Sequence, residues 1–187
     1  VSDSVRGAIE TAEGALDLVL DTAGYADLRM EQAKRRADGG PLQLGIGVSC
    51  YIEISNPVAE TEYGEVEILA DGSAIARSGS RGHGQSHETT FAQIVSDRLG
   101  LPIEKISVHE GDTDEIAKGT GTYGSKSTQL GGSAVRLAAD AVVEQAKTLA
   151  ADLGGDVELD PAGWADLAAR AAAAGRLGEL KAVHEFQ

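Results

Sequence analysis

Two stretches of this 187-residue sequence place glycine, hydroxyl and amide residues directly ahead of an amphipathic segment. We call residues 79–90 loop A and residues 119–128 loop B. Each leads into a predicted helix, and a helix N-terminus presents unpaired N–H groups at the positive end of its dipole. Glycine permits backbone angles that turn several N–H groups toward one ligand. The pattern predicts an anion-binding site made of neutral donors, and capped helices with flexible entry turns are the structural alternative.

Two common nucleotide-binding motifs fit these loops poorly. Loop B reads GTGTYGSKST, which is close to a phosphate-binding loop, but Ser125 separates the last glycine from Lys126. Loop A contains GSRGHG, which lacks the glycine spacing of a dinucleotide-binding fold and is not part of a strand–helix–strand unit. A nucleotide hydrolase and a standard dinucleotide-binding domain are therefore both disfavoured.

The histidines and the single cysteine give little support for a metal site. His83 and His87 have a spacing that can place two ligands on one helix face, and His109 could add a third. Gly84 interrupts that pair at the junction of loop and helix, so we predict structural or ligand-contacting histidines and no metal site. Cys50 lies in an apolar run and is interpreted as a small buried residue, and one cysteine excludes an internal disulfide.

Charge and hydropathy exclude some partners. Lys and Arg number 16 against 30 Asp and Glu, giving a net charge of −14, which argues against nucleic-acid binding. The only basic cluster, residues 34–36, is interpreted as a solvated helix end. No apolar run reaches the roughly 18 residues of a membrane helix, and residues 1–20 do not resemble a signal peptide. We expect a cytoplasmic protein, and the absence of an initiator Met suggests a part of a larger chain.

Periodicity predicts an α+β fold in which two layers are formed by helices on a small mixed sheet. Residues 1–40 are expected to form N-terminal helices, and residues 41–187 a second, larger subdomain. Asp71 and Gly72 are the predicted turn of a hairpin. The remaining predicted elements are helices at 3–23, 26–37, through 91–99, at 128–153 and at 161–174, and strands at 42–55, on both sides of the hairpin turn within 61–79, and at 105–111.

The region from loop A to loop B is similar to the molybdopterin-binding region of molybdenum hydroxylase large subunits. This family includes carbon monoxide dehydrogenase, aldehyde oxidase and xanthine dehydrogenase, and the resemblance covers most of residues 20–187. The elements that carry it occur in the family's order: Gly84-Gln85-Ser86-His87-Glu88-Thr89, Gln93, Gly111-Asp112-Thr113 and Gly121-Thr122-Tyr123-Gly124-Ser125-Lys126-Ser127.

The resemblance implies that the two loops bind molybdopterin, in the form of its cytosine dinucleotide. Gln85 would hydrogen-bond near the metal or the pterin, and the N–H groups at the start of the following helix would face phosphate or pterin. Hydroxyls of loop B would bind the dinucleotide end. The implied cofactor-binding residues are Gly84, Gln85, Ser86, His87, Glu88, Thr89, Gly124, Ser125, Ser127 and Thr128.

The resemblance also implies what the parent enzyme does. Its molybdenum centre would hydroxylate CO, an aldehyde or a heterocycle with water-derived oxygen, and electrons would leave through iron–sulfur and flavin subunits. The family's catalytic glutamate lies outside this sequence, so no catalytic residue is assigned and the chain is expected to be inactive without the rest of the large subunit. A non-catalytic α+β assembly module and a small nucleotide- or phosphate-binding protein are the alternatives.

Two positions depart from the family pattern. Ser86 stands in place of a glycine, and Lys126 stands in place of an arginine. A side chain at residue 86 would crowd the approach of a ligand to the backbone, or would be tolerated if φ stays negative. One shared cofactor also requires that loops A and B lie close together.

Overall fold

The structure is a computed structural model that describes residues 24–47, 54–56 and 60–187. The described residues fall into two compact units, divided along the chain between residues 52 and 53. The predicted helix at 3–23 and Cys50 lie outside the described residues. The predicted subdomain division after residue 40 remains a prediction.

The described part of the first unit contains one helix. Helix α1 covers Tyr25–Asp38 and ends at Gly39, whose φ of 63° is left-handed. Residues 34–36 are exposed in or near its last turn, where positive charge complements the helix dipole. The chain then folds back, since Gln32 Nε2 donates to the carbonyl of Leu44 at 2.9 Å.

The prediction of a strand at 42–55 is wrong for the residues at its two ends, which are the part of it that the structure describes. Residues 42–47, 54 and 55 form no strand, and 48–53 lie outside the described residues. Gly45 and Gly47 supply no side chain that could pack on a sheet, which disfavours a strand.

The second unit is a two-layer α+β structure, as predicted. Its mixed sheet has the strand order β3-β2-β1-β4, in which β2 and β3 are parallel and the other pairs are antiparallel. The helices pack on one face of the sheet around an alanine- and leucine-rich core. The elements are β1 Glu62–Ile68, β2 Ala74–Ser78, α2 His87–Leu99, β3 Ile106–Glu110, α3 Ser133–Asp152, α4 Pro161–Ala173 and β4 Lys181–Phe186.

Close backbone approach holds the two layers together. Gly64 of β1 faces α3, and a Cβ atom on it would lie 2.5 Å from the carbonyl carbon of Ala134. Helix α4 is tied to the end of α2, because the indole N–H of the buried Trp164 donates to the carbonyl of Leu99 at 2.6 Å. With few aromatic residues available, such short separations let small side chains fill the core.

The hairpin and the helix boundaries follow local sequence chemistry. Asp71 Oδ1 accepts the N–H of Ser73 at 2.9 Å and stabilises the predicted turn. Asp160 caps α4 by accepting the N–H of Gly163 at 2.7 Å, and Pro161 occupies the first turn, as predicted. Among the described residues, no helix is both long and apolar enough to cross a membrane.

Two elements of the second unit differ from the sequence prediction. The helix predicted at 128–153 starts as a π-helical segment, Ser127–Gly132, before α3 begins. Its paired glycines allow close packing, since a Cβ on Gly131 would lie 3.0 Å from Ser80 Oγ. Strand β4 was not predicted. It has only a weak apolar alternation, because Val183 is half exposed, and its register is set by pairing with the distant β1.

Candidate functional site

Sheet topology brings the two loops to one edge of the sheet. Because β2 and β3 are parallel, their carboxyl ends lie side by side. Loop A leaves the end of β2 and leads into α2, and the segment 111–126 leaves the end of β3 and leads into the π-helical segment. Ligands of open sheets commonly bind outside the carboxyl ends of parallel strands, so the fold places both loops where a ligand is expected.

The two loops touch through their backbones. The N–H of Gly121 donates to the carbonyl of Gly79 at 3.3 Å. A Cβ on Gly79 would lie 2.6 Å from the Cα of Gly119, so neither glycine leaves room for a side chain. The loops therefore meet the requirement for one shared ligand.

A cavity of about 380 Å³ lies between the loops, and we call it the inter-loop cavity. It is lined by hydroxyl, amide and imidazole side chains, and none of its lining residues is acidic, although the chain carries a net charge of −14. Its lining consists of Gln85, His87, Thr90, Thr122, Tyr123, Ser125, Ser127 and Thr128.

A second cavity of about 530 Å³ lies on the other side of His87, toward β3, and we call it the β3-side cavity. Its lining contains four carboxylates together with Arg81 and two histidines. His87 belongs to both cavities. The lining consists of Arg81, Gly82, Gly84, Ser86, His87, Glu88, Val108, His109, Glu110, Asp112 and Glu115.

The start of α2 lies between these cavities with open N–H groups. Ser86 is the N-cap residue, and its side chain makes no capping hydrogen bond. The first intrahelical bond of this turn runs from the N–H of Thr90 to the carbonyl of Ser86 at 3.0 Å. The N–H groups of the first helical turn can thus donate to an anionic group.

The condition of a negative φ, under which a side chain at residue 86 would be tolerated, is not met. Ser86 has φ of 61°, and Gly84 two residues earlier has φ of 109°. This left-handed conformation is one that glycine adopts without strain. The side chain of Ser86 is accommodated because it is exposed and lies toward the β3-side cavity.

Gln85 is oriented by its own loop. Its side-chain Oε1 accepts the backbone N–H of His83. The carbonyl end of the amide is thereby engaged, and Nε2 is the end that can donate to a molecule in the inter-loop cavity.

His87 is buried and pairs loosely with a carboxylate of β3. Its Nδ1 lies 3.5 Å from Glu110 Oε1, and neither atom has a hydrogen-bond partner. The imidazole also packs on Phe91, with ring centroids 5.3 Å apart. Glu110 fixes loop A as well, because its Oε2 accepts the N–H of Gly82 at 2.6 Å.

Lys126 belongs to loop B, and its side chain is fully buried. Its Nζ donates to Glu60 and to Thr120 Oγ1, and lies 4.1 Å from the centre of the Tyr123 ring. Burial acts to lower the pKa of Lys126, but its hydrogen bond and charge interaction with Glu60 outweigh burial and hold that pKa above its usual value. The charged ammonium of Lys126 therefore stabilises the structure of loop B.

Glu62 is a second buried charge near the loops. Its Oε2 accepts the hydroxyls of Ser80 in loop A and Thr120 in loop B, each at 3.1 Å. Its Oε1 accepts the N–H of Tyr63 at 3.0 Å. Glu62 does not line the inter-loop cavity.

The structure distributes the predicted cofactor-binding residues over three places. Thr89 and Gly124 line neither cavity, although the carbonyl of Gly124 accepts the N–H of Asn56 at 2.9 Å. Gln85, His87, Ser125, Ser127 and Thr128 line the inter-loop cavity, and Gly84, Ser86, His87 and Glu88 line the β3-side cavity.

Sequence reasoning did not single out several residues of the site. Thr90 follows His87 by three residues, and this helical spacing could have placed it in the cavity. Thr122 and Tyr123 lie within a motif that was recognised, but their side chains were given no role. Glu62 gave no local signal, because its partners are distant in the sequence.

Fold and cavities together define an α+β domain whose polar inter-loop cavity suits an oxygen-rich ligand. Residues 18–187 match the family described as the molybdopterin cofactor-binding domain. The carbon monoxide dehydrogenase large chain of Hydrogenophaga pseudoflava is 43% identical over 150 residues, which cover 74% of this chain and 19% of that protein.

Solved structures of related enzymes share the fold. The Cu,Mo-CO dehydrogenase structure aligns with a TM-score of 0.62 at 32% identity, covering 92% of this chain and 26% of that one. Quinoline 2-oxidoreductase from Pseudomonas putida 86 aligns with a TM-score of 0.66 at 26% identity, covering 91% of this chain and 26% of that one.

This chain belongs to the molybdopterin cofactor-binding domain family of the carbon monoxide dehydrogenase and xanthine dehydrogenase oxidoreductases. The predicted resemblance is thereby confirmed. The chain spans about a fifth of the length of the curated relatives it matches.

Proposed function

We propose that this chain contributes loops A and B to the cofactor site of a molybdenum hydroxylase large chain, and that they bind molybdopterin as its cytosine dinucleotide. The observation that carries the proposal is the inter-loop cavity, which both loops line with neutral donors and no carboxylate. A pyrophosphate and a pterin offer many hydrogen-bonding oxygen and nitrogen atoms, and neutral donors bind such groups without a basic surface.

Six of the ten predicted residues have roles that their positions support. The first-turn N–H groups of α2, at His87 and Glu88, donate to an anionic oxygen of the cofactor. Gln85 donates from Nε2 to the pterin or to an oxygen near the metal. Ser125, Ser127 and Thr128 line the same cavity, and their hydroxyls would bind the dinucleotide end.

When bound, the cofactor supplies the redox chemistry of hydroxylation, and the residues of this chain hold and orient it. We further propose that the chain is inactive without the remainder of the large chain, which would carry the catalytic glutamate. The parent protein would be cytoplasmic and would pass electrons to iron–sulfur and flavin subunits. Its substrate would be CO, an aldehyde or a heterocycle.

The cofactor content of the protein purified from its native host tests the proposal. Acid oxidation should release a fluorescent pterin, and phosphodiesterase treatment should release a cytidine nucleotide, each in proportion to protein. Molybdenum measured on the same sample should match the pterin.

Gln85→Ala should lower molybdenum and pterin content, because it removes one donor to the cofactor. Gln129→Ala is the matched control, since Gln129 is exposed next to loop B but does not line the inter-loop cavity. Unchanged loading in Gln85→Ala would refute the role of Gln85. Absence of pterin combined with tight binding of a simple nucleotide would favour a nucleotide-binding protein instead.

A further inference from the structure

The buried carboxylate of Glu62 is the one group that hydrogen-bonds side chains of both loops among the residues that the structure describes. A single oxygen, Oε2, accepts from Ser80 Oγ and from Thr120 Oγ1. Glu62 is 1% exposed, and a buried carboxylate of this kind is stable only where its hydrogen bonds are satisfied. Both hydroxyls therefore bind the same carboxylate oxygen, and these two hydrogen bonds hold the loops close together.

Lys126 extends the hydrogen-bond network of Glu62 within loop B. Thr120 Oγ1 donates to Glu62 and accepts from Lys126 Nζ, whose other partner is Glu60. A cation on one side of the hydroxyl and a carboxylate on the other fix its hydrogen in the direction of Glu62. Thr120 thus has a defined orientation before any ligand is present.

The backbone contact between the loops depends on the same point. Gly79 immediately precedes Ser80, Gly119 immediately precedes Thr120, and these two glycines are in contact. The hydrogen bond from the N–H of Gly121 to the carbonyl of Gly79 adjoins it. Separation of the hydroxyls from Glu62 would release this contact and widen the inter-loop cavity.

We propose that Glu62, Ser80 and Thr120 form a clamp that sets the spacing of loops A and B, and that Glu62 and Thr120 are positioning residues for the cofactor. Neither residue lines the inter-loop cavity, so both act through the loops they hold. The positioning role rests on the proposed function, because it requires a bound cofactor. The clamp itself is a property of the protein without cofactor.

Thr120→Val in the protein from its native host is the test, because it removes the hydroxyl and keeps the side-chain shape. In cofactor-free protein, the amide of Gly121 should exchange about tenfold faster, while the amide of Val66 in β1 should be unchanged. In loaded protein, the pterin retained after dilution and gel filtration should fall about tenfold, since preorganisation of the loops is lost.

Two matched variants separate positioning from general damage. Thr120→Ser keeps the hydroxyl and should restore both wild-type values. Thr148→Val makes the same change on the exposed side of α3, where Thr148 bonds only its own helix, and should alter neither value.

Each remaining outcome has a definite meaning. Unchanged exchange at Gly121 in Thr120→Val would overturn the clamp. Faster exchange with undiminished pterin retention would overturn the proposed positioning of the cofactor by the clamp. Wild-type protein without any pterin would overturn the proposed function alone, because the exchange measurement tests the clamp without cofactor.

Discussion

At the scale of single residues, Ser86 shows how a serine occupies a position suited to glycine. Its φ of 61° is left-handed, and this conformation costs a non-glycine residue on the order of 1 kcal/mol. The sequence identified the substitution through the family pattern, but it gave no sign of φ. That angle is set by the junction of loop A with α2 and is visible only in the fold.

Ser86→Gly should therefore raise the free energy of unfolding by about 1 kcal/mol, measured by denaturant titration. Ser107→Gly provides the comparison, because Ser107 lies in β3 without a positive φ, and glycine there should destabilise the protein. A loss of stability in both variants would show that Ser86 is not strained.

Lys126 is the residue at which a change of charge should matter most. Lys126→Met removes the cation and leaves Glu60 and Thr120 without their buried partner, so the free energy of unfolding should fall by about 2–4 kcal/mol. Lys126→Arg keeps the positive charge and should cost less.

Lys147→Met is the matched control for Lys126. Its ammonium is exposed and pairs with Glu144 one helical turn away, so its loss should change stability by less than about 0.5 kcal/mol. Equal effects at both lysines in denaturant titration would contradict the structural role of Lys126.

At the scale of elements, local patterns predicted what local chemistry determines. The Asp71–Gly72 turn, the stripe of α2 from Phe91 to Leu99 and the Asp160 cap all follow short-range rules. Strand β4 was missed because its place depends on β1, more than a hundred residues earlier. The adjacency of loops A and B depends likewise on the parallel pairing of β2 and β3, which no local pattern contains.

Glu65, on the face of the sheet that the helices do not cover, should make the free energy of unfolding depend on pH in the acid range. Glu65 is buried on β1 and accepts hydrogen bonds from Tyr63 and Arg77, with Lys181 at 2.8 Å. Burial acts to raise the pKa of Glu65, but the hydrogen bonds from Lys181 and Tyr63, with the nearby positive charges, outweigh burial and lower it.

Because the pKa of Glu65 is lower in the folded state, its stabilising effect is complete above the unfolded value of about 4.3 and is lost as pH falls through the folded value. The free energy of unfolding of the wild-type protein should fall below about pH 4.3. Glu65→Gln should be less stable than wild type at pH 7, but its free energy of unfolding should fall less over the acid range. Unfolding measured from pH 7 to pH 3 gives the comparison. Equal acid losses in both proteins would contradict this assignment.

At the scale of the whole molecule, the negative charge of the chain is kept away from the inter-loop cavity. The chain carries a net charge of −14, yet the inter-loop cavity has no acidic lining. The nearby carboxylates line the β3-side cavity, belong to the clamp, or, in the case of Glu60, pair with Lys126. In the proposed function, directed N–H and O–H groups would therefore bind the polyanionic cofactor without a basic surface.

We propose that loops A and B bind one cofactor together, and hydrogen exchange of the native protein can test this joint binding. Exchange should be compared before and after removal of the cofactor, with residues 79–90 and 119–128 followed separately. We predict that both loops are slowed in the loaded protein and released together when the cofactor leaves, while the amides of α4 stay unchanged. Protection of one loop without the other, or of neither, would contradict the claim.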